Sequence, residues 1–90
     1  MKRYFVTFVA RQQYEPGGYL MFQGFIEVPF DLDLEISKCK SDKEITLLWD
    51  KVFEKNDMKI WMSYHKDYIP KRIMCWQLIQ HFKIETEVLK

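Results

Sequence analysis

Residues 3–11, Arg-Tyr-Phe-Val-Thr-Phe-Val-Ala-Arg, constrain the fold more than any other stretch of the chain. Aromatic and β-branched residues dominate the segment, and such side chains suit the pleated surface of a strand. Read with a period of two, Tyr4, Val6, Phe8 and Ala10 share one face, and Phe5, Thr7, Val9 and Arg11 share the other. Both faces are largely apolar. A strand of that kind belongs at the centre of a sheet, with material on each side of it.

Large side chains must build the surrounding core. The 90 residues include seven Phe, five Tyr and three Trp, but alanine occurs only at Ala10. Each buried aromatic removes on the order of 150–250 Å² from water. Glycine and proline number three each, fewer than a linker-rich or disordered chain carries. The length corresponds to a single domain over residues 1–90.

The antiparallel partner of the first strand is expected at 19–28. Glu15-Pro16-Gly17-Gly18 supplies turn chemistry, with φ preset by Pro16 and left-handed freedom at the glycines. Leu20, Phe22, Gly24, Ile26 and Val28 then alternate with Tyr19, Met21, Gln23, Phe25 and Glu27. Gly24 in mid-strand implies a bulge or the close approach of a neighbouring side chain. After Pro29, Asp31 to Ile36 alternates acid with aliphatic and reads as an extended segment with one wet face.

A helix follows. Ser41 and Glu44 match the S-x-x-E capping box, and Ile45, Leu48, Trp49, Val52 and Phe53 recur at helical spacing up to Asn56-Asp57. Met58, Ile60, Met62 and Tyr64 alternate with Lys59, Trp61, Ser63 and His65, which predicts another strand. Residues 65–72 carry Pro70 and several polar residues and read as a loop. Residues 73–82 fit a strand or a helical stripe of Cys75, Leu78, Ile79 and Phe82; aromatic and β-branched content favours the strand. Ile84, Thr86 and Val88 have the spacing to extend it. The expected architecture is α+β: an antiparallel sheet of four to five strands with one amphipathic helix across one face, in the order β-β-(β)-α-β-β.

Composition removes several function classes. Lys+Arg number 14 against 13 Asp+Glu, a net charge of +1, which weakens any reading based on non-specific phosphate binding. No apolar run approaches the ~18 residues of a membrane span. Met1-Lys2-Arg3 and the apolar stretch after it imitate a signal peptide, but Thr7 interrupts the stretch and no small-residue cleavage site follows. A cytoplasmic protein with Cys39 and Cys75 reduced is the expectation.

Metal and catalytic constellations are weak. Cys39, His65, Cys75 and His81 lack the close paired spacing of zinc sites. On one strand, Cys75 and His81 would stand about 20 Å apart. Asp31, Asp33 and Glu35 imitate the start of a calcium loop, but Ile36 occupies the position that needs glycine and Asp42 the position of the bidentate Glu. Neither cysteine sits in a nucleophile elbow, and no Walker or dinucleotide glycine pattern occurs. No metal, cofactor or catalytic residue is expected, and no enzyme.

The surplus of aromatics carries the functional reading. One helix covers one face. If it covers Val6, Phe8, Leu20, Phe22 and Ile26, then Phe5, Val9, Met21, Phe25 and Trp61 require other cover. Residues 73–90 or 29–40 would supply it by folding back; otherwise a partner does. Contiguous exposed apolar patches mark interaction sites, and aromatics and Met are enriched there. These five residues are the candidate partner-binding set of a non-enzymatic interaction module. Its partner would be another protein that it regulates or inhibits, or a second copy in a homodimer. The alternative from a different class is a single-stranded nucleic-acid binder, with Phe5, Phe25 and Trp61 stacking bases and Lys66, Lys71 and Arg72 holding phosphates. A cysteine-dependent enzyme is the third reading, and its test is rapid alkylation of a thiol at neutral pH.

Overall fold

A computed structural model describes residues 1–14 and 18–79. Its fold is α+β. Strands β1 (Lys2–Gln12) and β2 (Tyr19–Val28) come first. Helices α1 (Leu32–Lys38), α2 (Asp42–Lys55) and α3 (Lys59–Met62) follow, and strand β3 (Tyr68–Leu78) completes the order. The described residues form one antiparallel three-stranded sheet in the order β2-β1-β3. The two-sided apolar strand is indeed the central one.

The expected four to five strands and their order are therefore corrected. Asp31–Ile36 is not extended. Asp31 caps α1, its side chain accepting from Leu34 N–H, while Asp33 and Glu35 lie in the first turn and Lys38 in the last. Acids at a helix start and a base at its end suit the helix dipole. Residues 58–64 are not a strand either, and α3 takes their place. The same residue spacing misleads in both segments. Leu32 and Ile36 are four apart, as are Met58 and Met62, and four is a multiple of the strand period and close to one helical turn. The residues between them settle the matter: Leu34 and Ile60 are 55% and 67% exposed.

The expected loop at 65–72 ends sooner, because β3 already begins at Tyr68. The strand assigned to 73–82 holds through Leu78. Gln80, His81, Phe82 and the tail lie outside the described residues.

Helix α2 follows its sequence signals. Ser41 Oγ accepts from Glu44 N–H, and the apolar stripe is buried at Leu48, Trp49 and Val52. The reciprocal half of the capping box is displaced by one residue, since the Glu44 carboxylate accepts from Lys40 N–H and not from Ser41.

The core lies between the helices and one face of the sheet. Tyr4, Val6, Phe8 and Ala10 of β1 are at most 1% exposed, and Ile26, Val28, Leu32, Val52, Met58 and Met62 close around them. Phe8 stacks on Phe22 and tilts against Phe53, and Trp49 tilts against Trp76. Burying one large apolar side chain contributes about 1.5–3 kcal/mol, so this face carries most of the stabilisation. The Tyr4 hydroxyl oxygen accepts a buried hydrogen bond from Leu32 N–H at 3.0 Å, tying the first turn of α1 to the centre of the sheet.

Gly24 meets the second of its two expectations, close approach. It pairs with Val6 and so shares the covered face. The Trp61 ring fills the space where a Cβ would stand. No bulge interrupts the pairing of β1 with β2.

Candidate interaction surface

The register of the sheet arranges the other face in rows. Antiparallel partners point to the same side. Thus Phe5 lies between Phe25 and Gln77, Thr7 between Gln23 and Cys75, Val9 between Met21 and Arg72, and Arg11 between Tyr19 and Ile69. Arg3 stands beside Glu27 at one end. Among the described residues no helix covers this face, because the helical residues that join the core do so with the Tyr4, Val6, Phe8 and Ala10 side of β1.

Four of the five residues singled out from the sequence come together here. Phe5, Val9 and Phe25 are half-buried, and Met21 is 62% exposed. The Phe5 and Phe25 rings meet edge to face with centroids 5.3 Å apart. Trp61 does not belong to the rows. It stands on α3, on the covered side at the β2 edge, and reaches Phe25 with centroids 5.6 Å apart. Its expected strand position is a correction that follows from α3 being helical.

Arginines complete the surface. The Arg3 guanidinium lies 4.7 Å from the centroid of Phe25, and that of Arg11 lies 5.9 Å from Tyr19. A guanidinium over an aromatic face is attracted by the ring quadrupole. With Arg72, these make three cations on the face, against the single carboxylate of Glu27 among the described residues. The near-neutral chain is thus not neutral here. A depression of about 840 Å³ lies where α2 meets this end of the sheet and is not confined to the uncovered face: Asp42, Ile45, Thr46 and Trp49 of α2 and Leu20 of the covered face line it together with Val9, Arg11, Tyr19, Met21, Lys71 and Arg72. Parity in the sequence already puts Arg11 beside Phe5 and Tyr19 beside Phe25, but only the ring contacts mark them, with Arg3, as part of this surface.

The basic residues of the alternative reading are scattered. Arg72 faces Val9 on the uncovered side, Lys71 sits at a register shift of β3 between Pro70 and Arg72, and Lys66 lies in the turn before β3. Cys75 is exposed opposite Thr7, whereas Cys39 is half-buried and donates to the Glu35 carbonyl. His65 packs against Phe22 and Tyr68, with Nδ1 3.2 Å from the Met62 carbonyl. Among the described residues no three His, Cys, Asp or Glu side chains gather as a metal site would require, and no helix is long and apolar enough to cross a membrane.

The two edges of the sheet differ. On β3, Pro70 lacks a donor, Lys71 and Arg72 add charge, and the register shifts twice against β1. On β2, Asn56 covers one position: its Oδ1 accepts from Glu27 N–H, and its Nδ2 donates to the Glu27 carbonyl.

No family model, curated protein or solved structure matches the chain.

Proposed function

We propose that this chain is a non-enzymatic protein-interaction module whose uncovered sheet face docks an acidic protein surface. One observation carries the reading: the helices pack on one side of the sheet, leaving a face where Phe5, Val9, Met21 and Phe25 are ringed by Arg3, Arg11 and Arg72. An apolar centre with a charged rim is the anatomy of a non-obligate interface. The charge selects the partner. Stacking two copies face to face would oppose arginine to arginine, and like charges across an interface cost affinity. A partner with carboxylates around an apolar patch fits both parts.

The test is capture from a host lysate, with Arg72→Glu and Arg11→Glu beside the wild type and Lys43→Glu on the exposed side of α2 as control. A protein retained by wild type and control but lost by both face variants supports the reading. Equal retention by all four overturns it.

The same arginines favour a second reading, a single-stranded nucleic-acid binder. It predicts affinity for mixed oligonucleotides that falls steeply with salt. Capture that survives nuclease treatment separates the two.

A further inference from the structure

The edge of β2 offers a second surface, and its chemistry specifies an occupant. Both backbone groups of Glu27 bond to Asn56 and so point away from β1. Backbone direction alternates along a strand. Tyr19, Met21, Gln23 and Phe25 therefore also present their N–H and C=O groups outward. Trp61 packs on Gly24 and Phe25, and Asn56 occupies Glu27. Among the described residues, the open part of the edge is 19–23.

This part has none of the devices that guard an edge strand. Natural edges carry charge, proline or bulges because a bare row of donors and acceptors templates further pairing. Tyr19-Leu20-Met21-Phe22-Gln23 has no charge and no proline, and its pairing with β1 has no bulge. Tyr19, Leu20 and Met21 are 56%, 38% and 62% exposed, three successive large apolar residues. The opposite edge, β3, has all three guards.

We infer that the β2 edge pairs with the β2 edge of a second copy, antiparallel about a two-fold axis through Met21. The inference rests on the interaction reading above; it uses the backbone edge of β2, and shares the side chains of Tyr19 and Met21 with the face described there. Two arguments select a second copy. First, Met21 is the midpoint of the open segment, so a two-fold there puts Met21 opposite itself, Tyr19 opposite Gln23 and Leu20 opposite Phe22. Every outward group in 19–23 then finds a partner, and pairing stops where Asn56 and Trp61 already cover the strand. Second, the segment is uncharged, so self-pairing sets no like charges together and a charged partner gains no attraction. An antiparallel pair about a two-fold normal to the sheet keeps each face on its own side. The product is one six-stranded sheet, with both helical layers on one side and both arginine-rimmed faces continuous on the other.

The experiment is sedimentation equilibrium of the full chain over a wide concentration range, with amide exchange on the same samples. Gln23→Pro removes an outward N–H and leaves the bonds to β1; Met21→Lys puts a charge at the axis. The expected result is a wild-type dimer whose dissociation constant rises about tenfold or more in each variant. Met21 and Gln23 amides should lose protection in Met21→Lys, while the inward Phe22 and Gly24 amides stay protected and show that the fold is intact. If Gln23→Pro loses protection at Phe22 as well, Met21→Lys alone decides. A wild type that stays monomeric, or a dimer unmoved by Met21→Lys, overturns the pairing. Because Met21 also belongs to the docking face, the separating variant is Gln23→Pro: loss of its dimer with lysate capture intact leaves the face reading standing. Loss of capture in Arg72→Glu with the dimer intact does the reverse, since Arg72 lies on the other edge strand.

Discussion

The two faces of β1 are built from the same kinds of residue and end in opposite circumstances. Tyr4, Val6, Phe8 and Ala10 are sealed under three helices, and Phe5, Thr7 and Val9 are only half-covered. Hydropathy alone does not separate Phe8 from Phe5. What separates them is which side the helices take, and that side is where α1 can be anchored by Tyr4 and where Gly24 admits Trp61. Among the described residues, only one of the two apolar sides of the strand carries a layer. One face is the core, and the other is a surface rimmed by arginine.

Substitution can break this comparison, and the largest effect is expected at Phe8. Phe8→Ala should cost about 3–5 kcal/mol in urea unfolding, because it leaves a cavity among Phe22, Phe53 and the rest of the core. Phe5→Ala should cost much less; equal losses would mean that both faces are buried.

Gly24→Ala is expected next, at about 1–3 kcal/mol, since the new methyl meets the root of the Trp61 ring and not a flexible tip. Pairing it with Trp61→Leu should recover part of the loss in melting temperature; no recovery would place the strain elsewhere.

Tyr4→Phe removes the acceptor of a buried N–H and should cost about 1–3 kcal/mol. It should also change the pH dependence. Burial raises the Tyr4 phenol above its ordinary 10.0, the nearby Asp31 and Asp33 add to the rise, and the bond from Leu32 opposes it. The folded protein therefore holds this proton more tightly than the unfolded chain. Stability from the group is complete below pH 10 and falls as pH climbs toward the folded value. Unfolding curves above pH 10 should flatten in Tyr4→Phe relative to wild type.

The smallest effect on stability is expected at Arg72→Glu, within about 0.5 kcal/mol, because the residue is exposed. A large loss there would give the face a structural role in place of a docking one.

Much of the fold was legible in the chain itself. The hairpin, the Ser41 cap and the stripe of α2 follow from local chemistry, because turn residues, caps and a long apolar stripe act over a few residues; Gly24 left a bulge or a close approach open, and 73–82 a strand or a helix, until packing chose between them. The short elements were not legible. Leu32 with Ile36 and Met58 with Met62 fit two periods equally over so few residues, and only packing exposes Leu34 and Ile60. Four of the candidate surface residues could be placed on one face by parity. Trp61 could not, because its position depends on α3.

Residue by residue, then, the chain dictates a central apolar strand, its hairpin partner and one strong helix, since propensity, capping and turn geometry are properties of neighbours in sequence. Which face the helices cover, how Asn56 and Trp61 close one end of the β2 edge, and how Arg3, Arg11 and Arg72 converge on one surface are decided by tertiary structure. Those outcomes depend on groups far apart in sequence: Trp61 lies 37 positions beyond Gly24, and Arg72 lies 63 beyond Val9. Pairing across such separations is set by which arrangement buries the most apolar surface while satisfying the backbone, and no local pattern records it.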